Sequence, residues 1–129
     1  MKVSGAMKKT VLVVDDEAFI RDLLRQHLES DGYSVLVAED GAKAVALSQG
    51  HQGPIHLLLT DMKMPGIDGS LLAGRLTASR PDTKVLYISG YLPGSAVHHN
   101  ATATGTAFLL KPFTRETLLR TVRVILDAS

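Results

Sequence analysis

The sequence predicts an α/β fold, with a five-stranded parallel sheet flanked by helices on both faces. Three observations carry this expectation. Five short apolar runs, several rich in β-branched residues, recur between positions 10 and 110. The stretches between them carry apolar residues at helical spacing, closed by Gly, Pro and Asp. Finally, 129 residues with 45% hydrophobic and 21% charged side chains suit one domain around one sizeable core.

Thr10–Val14 (TVLVV) is short, β-branched and apolar on both faces, so it reads as a strand covered on both faces. From Glu17 to Ser30, the residues Ile20, Leu23, Leu24, His27 and Leu28 follow a helical stripe, which Asp31-Gly32 ends. Tyr33–Val37 (YSVLV) reads as the second strand. Ala42 to Ser48 is a short helix, with Gly50, Gly53 and Pro54 marking its exit. Ile55–Thr60 (IHLLLT) is the third strand. Asp68–Ser79 is helical, with Leu71, Leu72 and Leu76 on one face and Arg80-Pro81-Asp82 closing it. Lys84–Ser89 (KVLYIS) and Ala107–Leu110 (AFLL) are the fourth and fifth strands. Thr114 caps a last helix with the stripe Leu118, Leu119, Val122, Ile125 and Leu126. The fourth helix falls in 93–105 (PGSAVHHNATATG), where Thr, Asn and Gly are poor helix formers, so a short, irregular and mobile element is expected there. Alternating strands and helices imply a parallel sheet covered on both faces.

Composition removes several function classes. The chain has no cysteine, which excludes disulfides and Cys-based zinc sites. No apolar run approaches the roughly 20 residues of a membrane span, and the polar N-terminus lacks the apolar stretch of a secretion signal. The net charge is +1 with scattered Lys and Arg, so no nucleic-acid footprint is visible. The expectation is a cytoplasmic chain without direct nucleic-acid or membrane contact. Residues 1–8 are read as an N-terminal leader or tail and 9–128 as the folded domain.

In parallel sheets, ligands bind at the carboxyl ends of strands. Asp15, Asp16 and Glu17 follow the first strand, Asp61 the third, Ser89 closes the fourth, and Lys111-Pro112 follows the fifth. Each has an ordinary reading: an Asp pair is often a helix cap, Ser89 a capping hydroxyl and Lys111 a solvated cation. Their joint placement at one sheet edge points to a site. Three carboxylates close together repel, which protons or a cation must relieve. Hard oxygen ligands with an open coordination sphere suit Mg²⁺.

The stretches VLVVDDE, LLLTDMKMPGIDG, VLYISGY and FLLKPF resemble the four signature segments of response-regulator receiver domains, in the same order and spacing, over Lys8 to Asp127. The resemblance implies a doubly wound, flavodoxin-like sheet of order 2-1-3-4-5 with five helices. It implies a phosphoacceptor domain of a two-component phosphorelay, a signalling module that catalyses its own phosphorylation and dephosphorylation with Mg²⁺. By this similarity Asp61 is the nucleophile and phosphorylation site. Asp16 binds the metal directly, Asp15 does so through water, and the Lys63 carbonyl completes the protein ligands. Lys111 pairs with Asp61 and then with a phosphoryl oxygen, while Ser89 hydrogen-bonds another. Phe108 is the switch aromatic, and Lys111–Pro112 falls where a cis peptide is usual. The full set argues against a receiver that cannot accept phosphate.

The phosphodonor implied is a sensor histidine kinase or a histidine phosphotransfer protein, and the surface of strand five with the fourth and fifth helices would meet an unidentified output partner. Lys63 and Tyr91 flank the attacking water by resemblance. They either shield the phosphoryl group and prolong its lifetime or simply face solvent. Met62, Met64, Pro65 and Gly66 form a structural turn, and Phe19 and Tyr87 are read as packing residues. His98 and His99 point about 100° apart on a helix and are read as surface rather than metal ligands. An aspartate-dependent phosphatase is the enzymatic rival, but Lys63 stands where that chemistry wants an acid. A phosphate-free interaction domain is the other rival. The chain stops after the last helix, which fits a single-domain regulator or a receiver from a larger protein. LYISGY, FLLKPFT and VRVILDAS resemble receivers of hybrid sensor kinases.

Overall fold

The structure, a computed structural model, describes residues 8–62, 66–90 and 106–127. Its elements run β1 (Thr10–Val14), α1 (Ala18–Ser30), β2 (Ser34–Ala38), α2 (Gly41–Gly50), β3 (Leu57–Asp61), α3 (Gly69–Ser79), β4 (Lys84–Ser89), β5 (Thr106–Leu110) and α4 (Arg115–Asp127). The strands form one parallel sheet in the order β2-β1-β3-β4-β5. The sheet and its order are as the sequence implied. Four helices lie among the described residues. The expected helix over 93–105 lies outside them.

Strand β1 shows why the sheet is central. All five of its residues are buried. Val11 and Val13 point into one layer with Leu57, Leu59, Leu86 and Ile88, closed by Leu24 and Leu28 of α1 and by Leu118, Val122 and Leu126 of α4. Leu12 and Val14 point into the other layer with Leu58 and Tyr87, closed by Ala44 of α2 and by Leu72, Ala73 and Leu76 of α3. The two-residue period of a strand makes this division. Truncating one of these buried leucines to alanine costs about 2–5 kcal/mol.

Register places the site. Val14 pairs with Thr60, so Asp15 leaves β1 level with Asp61. Ser89 pairs with Leu110, so Lys111 leaves β5 at the same edge.

Local chemistry moves several boundaries. The Tyr33 amide donates to Leu28 O at 3.2 Å, closing α1, and the ladder starts one residue later, where the Ser34 amide meets Lys9 O at 2.9 Å. Gly32, at φ 94°, makes the turn between them. Helix α2 begins earlier than its apolar pattern suggests, because the Asp40 carboxylate accepts the Lys43 amide at 2.8 Å and caps it. Strand β3 starts after Ile55, which is buried without belonging to the strand, and extends through Asp61. Asp68 caps α3 through the Leu71 amide at 2.9 Å, and Thr114 caps α4 through the Thr117 amide at 3.0 Å.

Two packing expectations fail. Phe19 is 75% exposed. The stripe of α1 that meets the sheet runs through Ile20, Leu24 and Leu28, and Phe19 is turned roughly 100° from Ile20. Leu71 is likewise exposed, because Leu72, Ala73 and Leu76 form the inner face of α3. Tyr87 packs in the core.

Candidate functional site

The site forms where β1, β3 and β5 end. Asp15 is buried to 1% exposure and held from several sides. Its amide donates to Ala38 O at 3.3 Å, its Oδ1 accepts the Glu17 amide at 2.8 Å, and its carbonyl accepts Arg21 Nη1 at 2.7 Å. Its Oδ2 makes no hydrogen bond among the described residues. Asp16 follows on the exposed side. Asp61 sits at the last position of β3, with its carbonyl accepting Thr60 Oγ1 at 3.0 Å.

Lys111 reaches this cluster from β5. Its amide donates to Ser89 O at 2.9 Å, which ties the end of β5 to that of β4. Its Nζ donates to Asp61 Oδ2 at 3.1 Å, and stands 3.7 Å from Asp15 Oδ2 and 3.9 Å from Glu17 Oε1. The Lys111–Pro112 peptide is cis. Ser89 is buried at the end of β4. Phe108 is half-buried and stacks on Tyr87, with ring centroids 5.5 Å apart and planes at 26°.

The electrostatics follow from burial and charge. Burial pushes the Asp15 carboxyl up from its usual value. The Glu17 amide and Lys111 oppose that shift, while Asp61 and Asp16 reinforce it. For Lys111, burial works against the charge. The hydrogen bond to Asp61 and the charges of Asp15, Asp61 and Glu17 outweigh it, so the ammonium stays above the ordinary lysine range.

Asp15, Asp16 and Asp61 offer carboxylate oxygens that all lie within 4.8 Å of one another. One lysine cannot neutralise three such groups, and Asp15 Oδ2 is buried without a hydrogen bond. Hard, anionic oxygen donors at this spacing fit a small divalent cation such as Mg²⁺.

The structure thus gathers Asp15, Asp16, Asp61 and Lys111, with Ser89 buried at the neighbouring strand end. Lys63, Tyr91, His98 and His99 lie outside the described residues, as do Met64 and Pro65. Three contributors went unassigned in the sequence. Glu17 adds a further acid facing Lys111. Arg21, on the second turn of α1, holds the Asp15 carbonyl, a main-chain contact that leaves no mark in the sequence. Gly69, just after the Asp68 cap, donates its amide to Met62 O at 3.0 Å beside Asp61, and only the three-dimensional packing reveals that role.

Comparison with known proteins agrees with this geometry. Residues 11–123 match the family model of the response regulator receiver domain. The response regulator receiver protein CpdR of Brucella abortus is 33% identical over 121 residues, covering 94% of this chain and 99% of that protein. The sensor kinase CckA of Brucella abortus is 32% identical over 118 residues, which cover 92% of this chain and only 12% of the kinase. The crystal structure of the receiver domain from the hybrid histidine kinase CckA superposes with a TM-score of 0.78 at 35% identity, covering 91% of this chain and 98% of that one. The chain belongs to the response regulator receiver domain family of two-component signalling.

Proposed function

We propose that the chain is the phosphoacceptor of a two-component phosphorelay, with Asp61 taking a phosphoryl group from a phosphohistidine on a sensor histidine kinase or a histidine phosphotransfer protein. The observation that carries this reading is the Lys111 ammonium, 3.1 Å from Asp61 Oδ2, with Asp15 and Asp16 grouped beside the same carboxylate. An Asp61 oxygen attacks phosphorus in line, the phosphorus–nitrogen bond of the donor breaks, and the imidazole nitrogen leaves with the electron pair. Lys111 then exchanges Asp61 for a phosphoryl oxygen, and the Ser89 hydroxyl donates to another. Asp15, Asp16 and Asp61, with the Lys63 carbonyl, would hold Mg²⁺, which supplies positive charge against the phosphoryl oxygens.

The output reading uses the same edge of the sheet. Ser89 moving toward the phosphoryl group vacates space beside β4, and Phe108 turns inward from its place on Tyr87. That exchange biases the surface of β5, α4 and the segment 93–105 toward an output partner. Lys63 and Tyr91 are assigned to tuning the phosphoryl lifetime. The domain is taken as 9–128, preceded by a leader at 1–8, in a cytoplasmic protein that catalyses its own phosphorylation and dephosphorylation. No helix among the described residues is long and apolar enough to cross a membrane.

The test is intact mass after incubation with Mg²⁺ and a small acyl-phosphate donor, against Asp61→Asn. The wild type should gain one phosphoryl group, lose that gain on prior chelation of Mg²⁺, and the variant should gain none. No gain, together with no Mg²⁺-dependent binding of a beryllium fluoride mimic, would overturn the reading.

A further inference from the structure

Gly69 opens α3 directly against the main chain of the acceptor. A Cβ built on it would stand 2.3 Å from Asp61 O, 3.0 Å from Met62 Cα and 3.1 Å from Asp61 C. Real Cβ atoms essentially never come within 3.0 Å of another heavy atom. The obstacle here is backbone, so no side-chain rotation relieves it. Conformational freedom does not explain the glycine. Among the described residues only Gly32, Gly53 and Gly66 have positive φ. Gly69 stands where it does because the space holds nothing larger.

The surroundings are tied together. The Gly69 amide donates to Met62 O at 3.0 Å, and the Met62 amide donates to Ile88 O at 3.1 Å. Asp68 caps the same turn through Leu71. The peptide after Asp61 is therefore fixed to β4 on one side and to the first turn of α3 on the other. Behind it, a Cβ on Gly41 would stand 2.7 Å from Ile67 Cβ, so the start of α2 presses on the loop leading into α3.

We propose that Gly69 is a positioning residue for the acceptor. The first turn of α3 is a backstop that sets where the Asp61 carboxylate stands relative to Lys111, Asp15 and Asp16. It thereby governs how well the cluster takes a divalent cation and how fast Asp61 accepts phosphate. The second consequence rests on the phosphoacceptor reading above, whereas the first does not.

The test compares Gly69→Ala with Gly74→Ala. Both make the same chemical change in the same helix, but a Cβ at Gly74 meets nothing within 4 Å. Mg²⁺ affinity, the backbone amide resonances of Asp61 and Met62, and the rate of phosphoryl uptake at saturating Mg²⁺ are measured below the unfolding temperature. Gly69→Ala should weaken Mg²⁺ binding about tenfold, shift both resonances, and slow uptake by about tenfold to a hundredfold. Gly74→Ala should match the wild type in all three. A helix-packing role alone would lower the unfolding temperature of Gly69→Ala and leave Mg²⁺ affinity and resonances unchanged, which would overturn the proposal. If the wild type accepts no phosphate, the phosphoacceptor reading falls, and the Mg²⁺ titration still decides the role of Gly69. If Gly69→Ala does not fold, Asp68→Ala serves instead. It loosens the same turn without filling the space, and should weaken Mg²⁺ binding a few-fold. Wild-type affinity in that variant would equally overturn the proposal.

Discussion

Lys111 and Asp61 are 50 residues apart in the chain, and their side chains meet at 3.1 Å. The lysine also faces Asp15 and Glu17, so one cation is shared among several acids. The site is left short of positive charge, which suits a divalent cation; under the proposed function, that cation precedes an anionic phosphoryl group.

Replacing Lys111 with alanine separates these two events. Phosphoryl uptake should fall on the order of a hundredfold, because a fixed donor to the transferring group is lost. Mg²⁺ should bind more tightly, because the acids lose their resident cation. Time-resolved intact mass and a Mg²⁺ titration read the two effects. Undiminished uptake would remove Lys111 from the transfer step.

Arg21 holds the Asp15 carbonyl at 2.7 Å and so fixes the turn that presents Asp15 and Asp16. Arg21→Ala should weaken Mg²⁺ binding about tenfold, in the range found for groups that orient metal ligands. Arg21→Lys should recover part of the loss. Equal affinity across wild type, Ala and Lys would show that the turn holds its shape unaided.

Arg80 marks the opposite edge of the sheet. Its Nε donates to Ser48 Oγ at 2.9 Å, its Nη1 to Gly53 O at 2.8 Å, and its Nη2 to Ser48 O and His51 O at 2.9 Å each. It thus closes the end of α2 with a charge that suits a helix C-terminus. Arg80→Ala should cost about 2–3 kcal/mol of stability in denaturant unfolding. Mg²⁺ affinity and phosphoryl uptake should be unchanged where the protein is folded. A change in either would mean that the two edges are coupled.

Tyr87 offers a pH test. Burial raises its pKa above 10.0, with the Ser70 hydrogen bond opposing the shift and the Asp68 charge adding to it. The folded state therefore favours the neutral phenol. That contribution is fully present below the unfolded value and is lost as pH rises through the folded one. Stability should fall as pH rises past about 10, less steeply in Tyr87→Phe. Denaturant midpoints read this directly, and identical slopes for the two proteins would overturn it.

The fold was legible because β1, β3 and β4 each carry an unbroken apolar run, Val11–Val14, Leu57–Leu59 and Val85–Ile88, a pattern that a sheet covered on both faces requires. The acids and the lysine were legible because each directly follows such a run. Phe19 and Leu71 were misread because an apolar residue beside a helical stripe looks like part of it until the sheet fixes the helix's rotation. Arg21 and Gly69 were passed over for a different reason. Their hydrogen-bond partners are main-chain atoms, the Asp15 carbonyl and the Met62 carbonyl, which carry no sequence signature.

The spatial order of the strands has one more consequence. Asp15 and Asp61 flank the contact between β1 and β3, but Lys111 arrives only with β5, at the far edge beyond β4. A nascent chain emerging from the ribosome could assemble the acids early and would still lack their counter-charge. Under the phosphoacceptor reading, competence to receive a signal is therefore completed only when the last strand joins the sheet, late in synthesis.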